Sequence, residues 1–223
     1  MKYNRVQQDE DFEPVTPPLG FSVKQSSSHI FSVHINTEIK DPSHYSRIFD
    51  LLLEAGEEDV VTFFICSPGG RLDGLTTLLE GIRLTDAHVV AVVIGEAHSA
   101  ASLLALNCHE VVVTDSATML CHAVNTGYRG KLADLGAYTE HVKKTANALF
   151  ADTYAGFLEP SEITSVQEGK ELWLDAEEIR ERLENRTAYY MTMQEEENED
   201  QPTTTPGDTE VRSEDRRSKG KKK

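Results

Sequence analysis

Hydrophobic and polar positions along the chain follow two periods in turn. Ile30-Phe31-Ser32-Val33-His34-Ile35 alternates loosely and predicts a strand, whereas Tyr45, Ile48, Phe49, Leu52 and Leu53, within Ser43–Ala55, fall on one face of a helix. Val60–Cys66 is a continuous apolar run, as in a strand covered on both faces, and it stops at Ser67-Pro68-Gly69-Gly70. Leu72, Leu75, Leu78, Leu79 and Ile82 then recur at helical spacing. The unit repeats. Val89–Ile94 predicts a strand, Gly95 a break, and His98–Leu106 a buried helix built from small and apolar residues. Short strands are expected at Glu110–Thr114 and Ala117–His122, then one long helix from about Lys131 to Leu158, its end marked by Pro160. A short helix at Ser161–Val166, a break at Gly169 and a helix over Asp175–Leu183 complete the pattern, the last capped by Asp175 with Glu178 three residues on.

Strands alternating with helices, several of them apolar on both faces, predict an α/β fold with a mostly parallel sheet and covering helices. The folded domain is placed at 29–186. Residues 1–28 hold Pro14, Pro17, Pro18 and Ser26–Ser28 without a sustained apolar period and read as an irregular arm. Beyond Asn185 the run Glu195–Asp200, a Thr/Pro stretch and a Lys-rich end read as a disordered tail, 187–223, acidic and then basic, too poor in apolar area to offset its ordering entropy.

Charge narrows the function. A formal net charge of −16 argues against a nucleic-acid-binding body, since only Arg216–Lys223 is basic and phosphate neutralisation needs clustered Lys and Arg. Apolar runs such as Val89–Ile94 and Leu103–Leu106 fall short of the roughly 20 residues that span a bilayer, and Met1–Glu10 is polar, so no membrane role and a cytoplasmic location are expected. Cys66, Cys108 and Cys121 sit in apolar stretches without Cys-x-x-Cys spacing and suit buried thiols of a reducing compartment. A zinc site from Cys108-His109 and Cys121-His122 is disfavoured because alternate strand side chains do not converge, and no metal is expected.

Three segments supply parts that acyl transfer requires, namely a nucleophile, a base and N–H groups aimed at a developing oxyanion. Gly95-Glu96-Ala97-His98-Ser99-Ala100-Ala101-Ser102 places Ser99 at a strand-to-helix turn where free amides gather; the bland alternative is a tight helix–sheet contact in which Ser99 only packs. Taken as helical neighbours, His98 and Ser99 diverge by about 100°, so the base must come from elsewhere. His122 closes the strand Ala117–His122, at the edge where parallel sheets hold their sites, although a strand-end His is also a common structural residue. The glycines of Ser67-Pro68-Gly69-Gly70 permit backbone conformations that turn N–H groups toward a ligand, or form an ordinary turn; the Lys-Ser/Thr ending of a phosphate-binding loop is missing.

The order of these pieces resembles the Clp peptidase family: Ser67-Pro-Gly-Gly70, Gly95-Glu-Ala-His-Ser99, Met119-Leu-Cys-His122, a long helix, then Trp173-Leu-Asp-Ala-Glu-Glu178. The match covers about Ile30 to Asn185, and the compact, tail-bearing form is similar to versions encoded by bacteriophages. The resemblance implies a ββα superhelix of the Clp peptidase/crotonase type. It implies Ser99 as nucleophile, His122 as base and the N–H groups of Gly70 and Ala100 as oxyanion hole. It gives Gly127-Tyr-Arg-Gly130 and the helix after it the place of the family's ring-joining handle. It further implies peptide hydrolysis inside stacked heptameric rings fed by an AAA+ unfoldase, which alone consumes ATP, with no cofactor in the peptidase subunit. Family members usually carry an Asp two residues before the aromatic that matches Trp173. Here that position is Glu171, whose extra methylene a backbone shift must absorb, and the preceding Asp-Arg pair of ring contacts is replaced by Gly169-Lys170.

Two rival readings remain open on sequence alone. Crotonases share the architecture and hold a thioester enolate with paired amides, which would make the chain an acyl-CoA-binding enzyme without need of a Ser99/His122 pair. A catalytically silent ring subunit is the other, motivated by Glu171 and Gly169-Lys170.

Overall fold

The computed structural model describes residues 28–125 and 131–199. The Gly127–Gly130 part of the expected handle, the arm up to residue 27 and the tail from residue 200 lie outside the described residues. The strands are β1 (Ile30–Ile35), β2 (Val60–Ser67), β3 (His88–His98), β4 (Glu110–Val113), β5 (Thr118–Cys121) and β6 (Leu172–Leu174). The helices are α1 (Ser46–Glu54), entered through a 3-10 turn at Pro42–Tyr45, α2 (Leu72–Leu84), α3 (Ala100–Leu106), α4 (Leu132–Tyr154), α5 (Pro160–Gln167) and α6 (Ala176–Glu199). Two compact units divide them, one running to Cys121 and including Leu172–Ala176, the other comprising His122–Glu171 and the chain from Glu177 onward.

The first unit is an α/β body on a six-stranded sheet ordered β1-β2-β3-β5-β6, with β4 also paired to β3. Every pairing is parallel except β5 with β6, so the mostly parallel sheet read from the sequence is present with one antiparallel edge. Val61, Phe63 and Ile65 of β2 and Val89, Ala91 and Val93 of β3 point to one face and are fully buried there, together with Leu75 and Leu78 of α2. Each of these side chains other than the Ala91 methyl contributes about 1.5–3 kcal/mol relative to exposure. The opposite face is only half covered: Phe64, Val90 and Val92 are half-buried, and Ile94 and Val112 stand exposed.

In the first unit and at the C-terminal helix, several elements differ from the sequence reading. β3 does not break at Gly95 but continues to His98, and α3 begins only at Ala100. Gly95 serves the packing instead, because a Cβ there would stand 2.7 Å from the Cys66 sulfur on β2. β6, only three residues long, was not expected at all; charged and glycine residues before it leave too little alternation to read. The helix expected over Asp175–Leu183 runs on to Glu199, carried by good helix formers such as Glu, Met, Gln and Ala.

In the second unit α4 ends at Tyr154, and Pro160 opens α5 rather than closing the long helix. Proline suits the first helical turn, where its missing N–H costs nothing. Glu159 and Glu162 form a reciprocal capping box there, and Glu162 also receives both Nη groups of Arg182 from α6 at 2.7 and 2.9 Å. The neighbouring guanidinium holds the Glu162 carboxyl below its ordinary range. Phe150, Tyr154, Phe157, Leu158, Val166 and Ile179 make the buried core of this unit. No helix among the described residues is long and apolar enough to cross a membrane.

Candidate active site

The carboxyl ends of β2 and β3 carry the two turns singled out in the sequence. Ser67, fully buried, pins the first: its hydroxyl donates to the Thr37 carbonyl at 2.7 Å and accepts the Gly69 N–H at 3.1 Å. This is a side chain closing a turn on the amide two residues ahead, with Pro68 presetting the corner. Ile39 then binds both sides of Gly70, its N–H donating to the Gly69 carbonyl at 2.6 Å and its carbonyl accepting from Arg71 N–H at 2.9 Å. In a parallel bridge of this kind, Gly70 presents its own N–H from the opposite edge.

Ser99 occupies the second turn with φ 56 and ψ −124, the one non-glycine residue with positive φ among the described residues. A side-chain-bearing residue in that region costs about 1–3 kcal/mol and persists only when its surroundings over-determine it. They do. The Ser99 N–H donates to the Leu120 carbonyl at 2.8 Å, and the Ser99 carbonyl accepts the Ser102 N–H at 3.0 Å and the Ser102 hydroxyl at 2.7 Å.

The two turns touch. Gly69 has φ 88, and a Cβ on it would press into the His98 carbonyl oxygen and lie 2.7 Å from Ser99 Cβ and 2.9 Å from Ala100 N. Only a residue without a side chain permits this approach. Among the described residues no hydrogen bond takes up the N–H of Gly70 or of Ala100. Ser99, Ala100 and the diglycine turn are thus gathered at one place in the first unit, with two amides left to donate.

His122 and Glu171 belong to the second unit. The expected strand Ala117–His122 is Thr118–Cys121, and His122 is the residue that follows it, half-buried. Glu171 precedes β6 and is exposed. Cys121 pairs with Leu172 in the antiparallel register, so one step further along that register matches His122 with Glu171.

His98 ends β3 rather than starting a helix, which corrects the geometry assumed for it, and it is engaged away from the Ser99 hydroxyl: Nδ1 lies 3.3 Å from a Glu96 carboxylate oxygen and Nε2 3.0 Å from Thr118 Oγ1. The strain at Ser99, the pinning by Ser67 and the closeness of Gly69 were not read from the sequence. Ser67 alone carried a usable signal, a hydroxyl residue directly before Pro-Gly. Of the cysteines, Cys108 and Cys121 are buried, and burial pushes the Cys108 thiol up to about 12, which makes it inert.

A mostly parallel sheet thus presents a strained serine beneath a glycine turn, with two unclaimed amides beside it. The Clp protease family signature matches residues 23–182, well over half of the 223-residue chain, and the chain belongs to that family of peptidases.

Proposed function

We propose that the chain is a serine endopeptidase subunit in which Ser99 is the nucleophile, His122 its general base and Glu171 the carboxylate that orients the imidazole. The observation that carries this reading is the positive-φ turn at Ser99 packed against Gly69, with the Gly70 and Ala100 amides open beside it. His122 takes the Ser99 proton as the hydroxyl attacks a peptide carbonyl; the Gly70 and Ala100 N–H groups receive the oxyanion; His122 then returns the proton to the leaving amine. Each oxyanion donor contributes about 3 kcal/mol of transition-state stabilisation. The continuation of the β5–β6 register that matches His122 with Glu171 supports the third assignment.

We place the peptidase domain at 29–186, after the arm 1–28, in a ββα superhelix with α4 as the helix of the handle; residues 187–199 of the expected disordered tail continue α6 instead. The half-covered sheet face, with Ile94 and Val112 exposed, supports assembly into rings, since a neighbouring subunit would bury it. The reading extends to a heptameric ring enclosing the sites, to unfolded polypeptide substrates delivered by an AAA+ Clp-type unfoldase, and to a subunit needing no metal or cofactor of its own; with Gly169-Lys170 in place of the Asp-Arg pair, it does not extend to the stacking of two rings. A bacteriophage-type member working in a bacterial or infected-host cytoplasm fits the compact, tailed form. Purified Ser99→Ala should fold and assemble as the wild type does yet lose peptide hydrolysis and fluorophosphonate labelling together; hydrolysis at the wild-type rate in that variant would remove Ser99 from the mechanism.

A further inference from the structure

The residue before Ser99 is tied into the sheet more heavily than a strand end requires. In the register of the first unit His98 stands opposite Leu120 of β5, and Leu120 stands opposite Trp173 of β6, so the three share one row and one face. His98 and Trp173 close over Leu120, their rings 5.2 Å apart and nearly perpendicular, and Leu120 retains only 9% exposure. The carbonyl of that same Leu120 accepts the Ser99 N–H.

Both nitrogens of His98 face polar neighbours across the sheet. Nε2 shares a 3.0 Å hydrogen bond with the Thr118 hydroxyl, and Nδ1 lies 3.3 Å from a Glu96 carboxylate oxygen. Glu96 and Thr118 are themselves register partners, which makes Glu96, His98 and Thr118 a belt across β3 and β5. For Ser99 to relax from φ 56 toward the ordinary negative region, the peptide joining it to His98 must rotate. The belt and the Ser99–Leu120 hydrogen bond both oppose that rotation.

We infer that His98 is a positioning residue for Ser99: hydrogen-bonded to Thr118, packed edge-on against Trp173 and facing Glu96, it holds the end of β3 so that the strained turn and its hydroxyl are set before substrate arrives. The inference rests on the reading of Ser99 as nucleophile. Preset geometry raises the rate of the bond-forming step without changing how well a reagent binds.

The test is saturation kinetics of fluorophosphonate labelling on the full-length assembled chain, with thermal midpoints recorded on the same samples. His98→Ala should lower the maximal labelling rate about tenfold while leaving the half-saturating reagent concentration unchanged. His98→Gln, whose amide reaches Thr118, should recover most of the rate, and Thr118→Val should lower it by about threefold. A wild-type maximal rate in His98→Ala overturns the inference, as does a His98→Gln no faster than His98→Ala. If His98→Ala does not fold, an unchanged rate in Thr118→Val overturns it. Failure of the parent reading looks different: the wild type does not label, or Ser99→Ala labels as fast as the wild type.

Discussion

The two ends of β3 are built in opposite ways. At its start, His88-Val89, every donor has an ordinary partner: His88 N–H donates to the Asp59 carbonyl at 3.1 Å, and Val89 N–H to His109 Nδ1 at 2.8 Å, with the His88 and His109 rings stacked 5.5 Å apart. At its end, Ser99 is held in a strained conformation with the next amide unclaimed. One end maximises satisfied contacts; the other stores strain and leaves donors open. The contrast teaches that a single strand can act as an anchor at its amino end and as a presentation device at its carboxyl end, where ligands of open parallel sheets bind.

The largest effect is expected at the glycine beneath Ser99. Gly69→Ala places a Cβ against backbone atoms at φ 88, and a loss of about 3 kcal/mol or more in denaturant unfolding is expected, with labelling abolished in whatever folds; a fully stable variant would show that the two turns do not meet so closely. Next comes Ser99→Gly, which removes the proposed nucleophile and the strain together. Stability should rise by about 1 kcal/mol, measured by the same method, whereas Val89→Gly at the other end should lower it by well over that, since Val89 is fully buried and unstrained.

Away from β3, Arg182→Met separates Glu162 from its partly buried guanidinium and should cost about 1–2 kcal/mol. Because Arg182 holds the Glu162 carboxyl below its unfolded value, that contribution is present above the ordinary carboxylate range and disappears as pH falls through the lowered folded value. The variant should therefore lose less stability on acidification than the wild type.

The smallest effect belongs to His109. Partial desolvation, and then the nearby His88, lower its affinity for a proton, and a proton on Nδ1 would also displace the Val89 N–H. Its native contribution is thus complete above the ordinary histidine range, about pH 6.5, and declines as pH falls from there through the lowered folded value. His109→Asn keeps an acceptor but does not titrate, so its thermal midpoint should change less between about pH 8 and pH 5; identical slopes would show that the anchor end does not depend on a neutral ring.

The apolar periods that made β1 and α2 legible in the sequence are those of residues buried on one face, whereas β2 reads as a run covered on both faces and has only one of them fully buried. Gly95 misled because a glycine inside a strand signals either a break or a close neighbour, and only packing against Cys66 decides which. The placement of Ser99 at a turn was readable from the small residues around it. Its positive φ was not, because nothing in a serine marks a conformation imposed by Leu120, Ser102 and Gly69 from three other places in the chain. β6 was invisible for a related reason: Leu172–Leu174 becomes a strand through its pairing with β5, not through its own pattern.

The edge-on contact of Trp173 with His98 has a practical consequence. Trp173 is the sole tryptophan of the chain, so its ultraviolet emission comes from one address, a single row of side chains from the serine turn. Unlabelled protein therefore carries its own optical gauge of that turn, readable in stopped flow while an inhibitor or peptide is admitted.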